Sequence, residues 1–245
     1  MSKDIQGIPV TGEPGIDLDL AIASTQLQNW IKSVDLNRFR IKSVHIQSLD
    51  KFGPKVGFIK FKADVTDTKD KFLPGIVFAR GGAVAVLLVL LCEGKEYAVL
   101  TVQPRIASGS FAFEEICAGM LDGSSNFAGV AAKELKEEIG EDIKQSDLTD
   151  LSALAGFPGG AYPSVGGCDE TIRFYACVRS VTSEKMAEIN GRCTGVLEEG
   201  EQITLKIVPL ADVRKLPDLK SIAAQALYEQ FRSQIPGAPA APTTK

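Results

Sequence analysis

Three glutamates, Glu134, Glu137 and Glu138, lie three and four residues apart in the stretch Gly119 to Gly140, GMLDGSSNFAGVAAKELKEEIG. On a helix such spacings gather side chains on adjoining strips of one side. Like charges so placed destabilise an isolated helix, and Lys133 and Lys136 offset the repulsion only in part. A hard divalent cation would offset it better, because Mg2+ favours carboxylate oxygens and is commonly held by one or two of them together with substrate phosphates. The alternative reading is a solvated, charge-laced helix face.

The element that must carry these carboxylates is predicted to begin near Ser124, Ser125 or Asn126, each an acceptable N-cap. Its apolar face is Ala128, Ala131, Ala132, Leu135 and Ile139, and Gly140 is placed to end it. Ahead of it, the unbroken apolar run Ala83–Leu91, the turn Glu93-Gly94-Lys95 and the run Tyr97–Val102 predict a hairpin whose first strand is buried on both faces. A short strand around Phe113–Cys117 leads into Ala118-Gly119. Beyond it, Leu151–Leu154 reads as a strand, and Gly156–Glu170, with five glycines and two prolines, as a shaped loop. A strand over Thr171–Val178, a helix over Ser183–Asn190, a strand over Gln202–Val208 and a helix over Ser221–Phe231 with Ile222, Ala226 and Leu227 inward complete the expectation.

Residues 1–75 read as a separate small β-rich domain, 76–235 as the main domain, and 236–245 as a disordered Pro/Ala-rich tail. Leu18–Val34 has a helical pattern with Thr25 as an internal cap. Phe39–Ile46 and Val56–Phe61 form a hairpin or meander about a Gly-Pro turn. Trp30 serves either as a packing anchor or as a base-stacking residue.

Composition narrows the function classes. A 245-residue chain that is 44% hydrophobic can bury a full core. Its net charge of -4 argues against a broad nucleic-acid footprint and favours small partners. Five scattered cysteines with no CxxC pair imply reduced thiols and no zinc site. The single histidine, His45, leaves acid-base and metal chemistry to carboxylates. The start lacks a secretory layout, and the longest apolar run is too short to span a bilayer. The expected compartment is the cytoplasm, or a plastid if a transit peptide has been removed.

The central stretch resembles the signature of the Nudix hydrolases, G-x5-E-x7-R-E-U-x-E-E-x-G-U, where U is a bulky aliphatic residue. Gly119 takes the first glycine, and Lys133–Gly140, KELKEEIG, takes the core. The chain departs at Ser125, where the pattern has Glu, at Lys133, where it has Arg, and at Glu141, where it has an aliphatic residue. Further motifs are similar to the ADP-sugar pyrophosphatase branch, most of all its plant type. They are Phe78-Ala79-Arg80-Gly81, Gln103-x-Arg105, Ala118-Gly119-Met120-Leu121-Asp122, Tyr162–Glu170 with its GGCDE, and Leu197–Glu201.

The resemblance implies an α+β architecture, the Nudix fold, an α/β/α sandwich with a mixed sheet, preceded by the small β-rich domain acting in dimerisation. It implies Mg2+ or Mn2+ held by Glu134, Glu137, Glu138 and the main-chain oxygen of Ala118. For Glu137 a supporting or solvent-facing position is the alternative. Glu170 is implied as general base, with Glu137 or Glu115 as the alternatives. Arg105 is implied as the diphosphate partner, against a structural salt bridge, and Glu115 as a substrate contact or a support for Arg105. The implied reaction is hydrolysis of ADP-ribose or ADP-glucose to AMP and a sugar phosphate. UDP-sugar hydrolysis and a non-catalytic nucleotide-sugar-binding module are the alternatives. A homodimer is implied in which Trp30 or nearby aromatics line the nucleotide site.

Overall fold

The computed structural model describes residues 2–121, 124, 126–140, 142–195 and 202–240. The chain divides into two compact units, Met1–Gly82 with Ser164–Glu170, and Ala83–Pro163 with Thr171–Lys245.

In the first unit, β1 (Lys3–Ile5), β2 (Ile8–Gly12), β3 (Phe39–Phe52), β4 (Lys55–Asp67), β5 (Phe72–Leu73) and β6 (Ile76–Ala79) form one sheet. Its order is β1-β2-β3-β4-β5, with β6 also on β4; only the β2–β3 pair is parallel. Alternation along β4 turns Ile59, Phe61, Ala63 and Val65 into the core. Two helices, α1 (Leu18–Ala23) and α2 (Thr25–Ser33), replace the single helical stretch expected there. The break is at Ser24, whose extended backbone ends α1 while its Oγ accepts from Leu27 N of α2 at 3.3 Å. Trp30 on α2 packs edge-on against Phe61 with ring centroids 4.8 Å apart.

This unit runs past the boundary expected at residue 75. β6 pairs with β4 from Ile76↔Lys62 to Ala79↔Ile59, which ties it to the first sheet. Gly75 permits the approach, since Ala63 N donates to its carbonyl at 2.7 Å and a Cβ there would stand 2.3 Å from Ala63 O. Residues 164–170 join the unit through Phe78 N donating to Gly167 O at 2.8 Å. Asp169 Oδ1 also accepts from the N–H groups of Arg80 and Gly81 at 2.8 and 3.1 Å.

The second unit contains β7 (Ala83–Cys92), β8 (Lys95–Arg105), β9 (Ser110–Met120), β10 (Thr149–Asp150), β11 (Ile172–Ser180), β12 (Cys193–Thr194) and β13 (Ile203–Pro209). Its sheet is mixed, ordered β10-β11-β7-β9-β8-β13-β12, with β11 and β7 parallel. Helices α3 (Phe127–Glu134), α4 (Leu151–Leu154), α5 (Ser183–Ile189) and α6 (Leu219–Phe231) cover it. The unbroken apolar run of β7 follows from burial on both faces. Ala83, Ala85, Leu87 and Val89 face a core shared with α4 and α6. Val84, Val86, Leu88 and Leu90 face a core shared with α3, α5 and the turn after α3.

Three expectations are corrected. Leu151–Leu154 is helical, because Asp150 accepts from Ala153 N at 2.9 Å and caps a turn there. Helix α6 buries Ser221, Ala224, Gln225 and Tyr228, while Ile222 and Ala226 are exposed. Its rotation follows its polar anchors: Ser221 bonds β9, and Tyr228 OH donates to Glu96 at 2.7 Å. The tail expected to be disordered from 236 begins ordered: Ala238 N donates to Ile235 O at 3.1 Å and its side chain packs on the core. Residues 241–245 lie outside the described residues.

Candidate active site

The carboxylate cluster is built where β9 delivers Ala118 and Gly119 beneath the helix that follows. Asn126 caps α3 by accepting from Gly129 N at 3.0 Å. Ala131, Leu135 and Ile139 are fully buried against the sheet, as the spacing predicts. The helix does not remain α. After Glu134 it widens to a π turn, Leu135–Ile139, which ends on Gly140 with φ 71. Glu137 and Glu138 therefore sit on a wider turn than Glu134. Two groups from the segment after α5 hold that turn: Thr194 Oγ1 donates to Glu138 O, and an Arg192 Nη donates to Ile139 O.

Glu138 is 4% exposed. One carboxylate oxygen accepts from Ala118 N at 3.2 Å, and the other lies 3.5 Å from Gln103 Nε2. Burial raises its carboxyl to about 7, and the Cys117 thiol and Ala118 N–H pull the value back only in part. The same burial, with Glu138 beside it, raises the Cys117 thiol well above its ordinary value. Glu134 lies directly over Gly119, so closely that a Cβ there would stand 1.9 Å from its Cδ. The glycine is thus a seat for a carboxylate. Glu137 is two-thirds buried and pairs with Lys133 at 3.0 Å, one turn back.

Glu115, on the same strand, is 2% exposed. Arg105 Nε donates to its Oε1 at 2.5 Å, and Lys220 Nζ from α6 donates to its Oε2. Two cations thus satisfy a carboxylate whose burial would otherwise be costly. In the first unit, Glu170 lies 3.5 Å from Arg80 Nη2, and the Arg80 guanidinium lies over Phe58 at 5.5 Å.

The donor set suits a hard cation: two carboxylates, Glu134 and Glu138, beside the strand carrying Ala118, with Glu138 desolvated. Among the described residues no three His, Cys, Asp or Glu side chains converge as a complete metal cage. Mg2+ does not need one, since it keeps several waters and takes one or two carboxylates together with substrate phosphate oxygens.

Of the site residues expected from sequence, the second unit brings Glu134, Glu138, Ala118, Arg105 and Glu115 to neighbouring positions on β8, β9, α3 and its π turn. Glu137 is held by Lys133 at the edge. Trp30 is half-buried and packs against the first unit's core, and Glu170 belongs to that unit's loop. Asp122, Ser125, Glu141 and Leu197–Glu201 lie outside the described residues. Lys220, Thr194 and Arg192 carry no local signal, because each acts on a partner far away in sequence.

A glutamate-bearing helix over a mixed sheet with helices on both faces is an arrangement able to hold a hard cation, and comparison with known proteins gives the family. Residues 81–230 match the NUDIX domain. The chain is 39% identical over 248 residues to Nudix hydrolase 14, chloroplastic, of Arabidopsis thaliana, covering 95% of this chain and 80% of the relative. A crystal structure of an ADP compounds hydrolase shares the fold with TM-score 0.53 at 17% identity, covering 82% of this chain and 98% of that one. The chain belongs to the Nudix hydrolase family and has the α+β Nudix fold. Members of this family generally use divalent metal ions and act on small nucleotide compounds. Among the described residues no helix is long and apolar enough to cross a membrane.

Proposed function

We propose that this protein hydrolyses the diphosphate bond of ADP-sugars, ADP-ribose or ADP-glucose, to AMP and a sugar phosphate with Mg2+ or Mn2+. The observation that carries the reading is the buried Glu138 beside Glu134 on its Gly119 seat. The choice of ADP-sugars rests on the Gln103-x-Arg105 and GGCDE motifs. It is supported by the 39% identical relative being a Nudix hydrolase and by the fold neighbour being an ADP compounds hydrolase.

Glu134, Glu138 and the Ala118 carbonyl would hold the cation, with Glu137 at its edge. The chemistry such an ion supplies when bound is polarisation of the phosphoryl group and stabilisation of the leaving phosphate. Ala118 N–H and Gln103 orient the Glu138 carboxylate. Arg105, held by Glu115 through Nε, presents its terminal nitrogens to diphosphate oxygens. Glu170 is assigned the general base, taking a proton from the attacking water as the P–O bond breaks. The chain works as a homodimer, with Trp30 or neighbouring aromatics of the first unit contributing to nucleotide binding.

Incubation with ADP-ribose, ADP-glucose, UDP-glucose and NADH in Mg2+, with products separated by chromatography, tests the substrate. AMP and sugar phosphate are expected from the ADP-sugars, and Glu138→Gln should reduce turnover by about 10²-fold or more. Unchanged turnover in that variant, or no ADP-sugar cleavage by the wild type, would refute the reading. Light scattering of the purified chain checks the dimer: a fully active monomer rules it out. The proposed compartment is the cytoplasm, or a plastid if a transit peptide has been removed; the chloroplastic relative supports the plastid, and imaging a fluorescent fusion separates the two.

A further inference from the structure

We propose that Lys220, at the start of α6, is a positioning residue for Arg105, acting through Glu115 to keep the guanidinium's terminal nitrogens available to a diphosphate. The inference rests on the proposed function only for the identity of the diphosphate-bearing substrate.

Glu115 is an interior carboxylate with both oxygens occupied by cations. Arg105 Nε takes Oε1 at 2.5 Å, and Lys220 Nζ takes Oε2. Lys220 is itself held, because its Nζ also donates to Asp218 Oδ1 at 3.0 Å. Asp218 caps α6, its other oxygen accepting from Ser221 N at 3.1 Å and from Ser221 Oγ at 2.5 Å. Ser221 Oγ in turn accepts from Ile116 N, the residue after Glu115, at 3.1 Å. A closed ring of hydrogen bonds therefore fastens the first turn of α6 to β9, two residues before Ala118.

The charges in this ring balance: Glu115 and Asp218 against Arg105 and Lys220. Arg105 engages Glu115 through Nε, and its side chain is 43% exposed. Its terminal nitrogens make no hydrogen bond to a described residue. A guanidinium gripped from the side can offer those nitrogens to phosphate oxygens in two-pronged fashion. Lys220 makes the side grip sufficient. Without it, the second Glu115 oxygen is a buried anion lacking a partner, and Arg105 is the nearest group able to turn and satisfy both oxygens. The turn would withdraw it from substrate.

The test measures binding of inorganic diphosphate by calorimetry and ADP-sugar kinetics in the full chain. The variants are Lys220→Met, Lys220→Gln, Lys220→Arg, Arg105→Ala and the double change Lys220→Met with Arg105→Ala. Loss of one charge-assisted hydrogen bond predicts about tenfold weaker diphosphate binding in Lys220→Met. KM should rise by a similar factor with kcat little altered, and Lys220→Arg should restore both. The double variant should bind no more weakly than Arg105→Ala alone. Wild-type affinity in Lys220→Met, or multiplying losses in the double variant, overturns the proposal; Lys220→Gln decides the matter if the methionine variant does not fold. If the wild type cleaves no ADP-sugar, the proposed function fails, while the diphosphate binding series still decides the role of Lys220.

Discussion

Replacing Gly119 by alanine tests whether its place under Glu134 is functional or merely structural. A Cβ there would lie 1.9 Å from Glu134 Cδ, 2.1 Å from Oε1 and 2.5 Å from Cγ. Carbon atoms rest about 3.5–4.0 Å apart, so the carboxyl carbon must retreat by roughly 1.6–2.1 Å. Glu134 is flexible enough to do so at a cost of about 1 kcal/mol in rotamer strain. Relief of glycine's unfolded-state entropy offsets part of that cost. The fold should therefore survive with a melting temperature near that of the wild type. Catalysis should not. Metal-ligand distances hold to within about 0.2 Å, and a misplacement of about 1 Å at a reacting site costs about 10²-fold. The expected fall in kcat/KM is about 10²-fold or more, near 2.7 kcal/mol of transition-state stabilisation, with a raised Mg2+ requirement. Steady-state kinetics over a Mg2+ titration, with thermal melts in parallel, reads both quantities. A stable Gly119→Ala variant within threefold of wild-type activity at every Mg2+ concentration would refute the assignment of Glu134 as a metal ligand.

Two other outcomes follow from the same geometry. The Glu138 carboxyl is raised from 4.5 to about 7, so the native state holds a proton that the unfolded state releases between those values. Its contribution is therefore fully present below about pH 4.5 and lost as pH rises through about 7. Metal-free protein should lose about 3 kcal/mol from this source, Glu138→Gln should abolish the loss, and Mg2+ should raise the melting temperature more at pH 8 than at pH 5; pH-dependent melts check all three. Tyr228 is fully buried and its hydroxyl donates to Glu96, which also pairs with Arg232 at 2.6 Å. Tyr228→Phe should cost about 1 kcal/mol in urea unfolding and leave kcat unchanged, whereas Arg232→Met should cost about 3 kcal/mol or more by leaving Glu96 without its cation.

How much of this is legible in the chain depends on how far apart the interacting groups lie. The apolar stripe Ala131, Leu135 and Ile139 and the glycine that ends it are repeats within one or two turns, and the structure places both as read, while Glu137 and Glu138 fall on a π turn that the α-helical spacing of the glutamates does not foresee. The run Ala83–Cys92 is equally local: a strand apolar at every position must be covered on both faces. Local reading fails where a polar anchor overrides the apolar pattern. Leu151–Leu154 looked like a strand until Asp150 capped it, and α6 turns Ile222 outward because Ser221 and Tyr228 bind partners on the sheet.

By itself, then, the amino-acid order determined the family, the glutamate helix, the glycine that ends it and the two-sided strand that supports it. Tertiary structure alone decided that the helix opens into a π turn, that Glu138 is desolvated, and that the first unit takes in β6 and the loop carrying Glu170. It also decided that Glu115 is shared between Arg105 and a lysine 105 residues away. The physical reason is that periodicity records which side of an element is apolar, whereas burial and charge pairing depend on which other elements the chain brings against it.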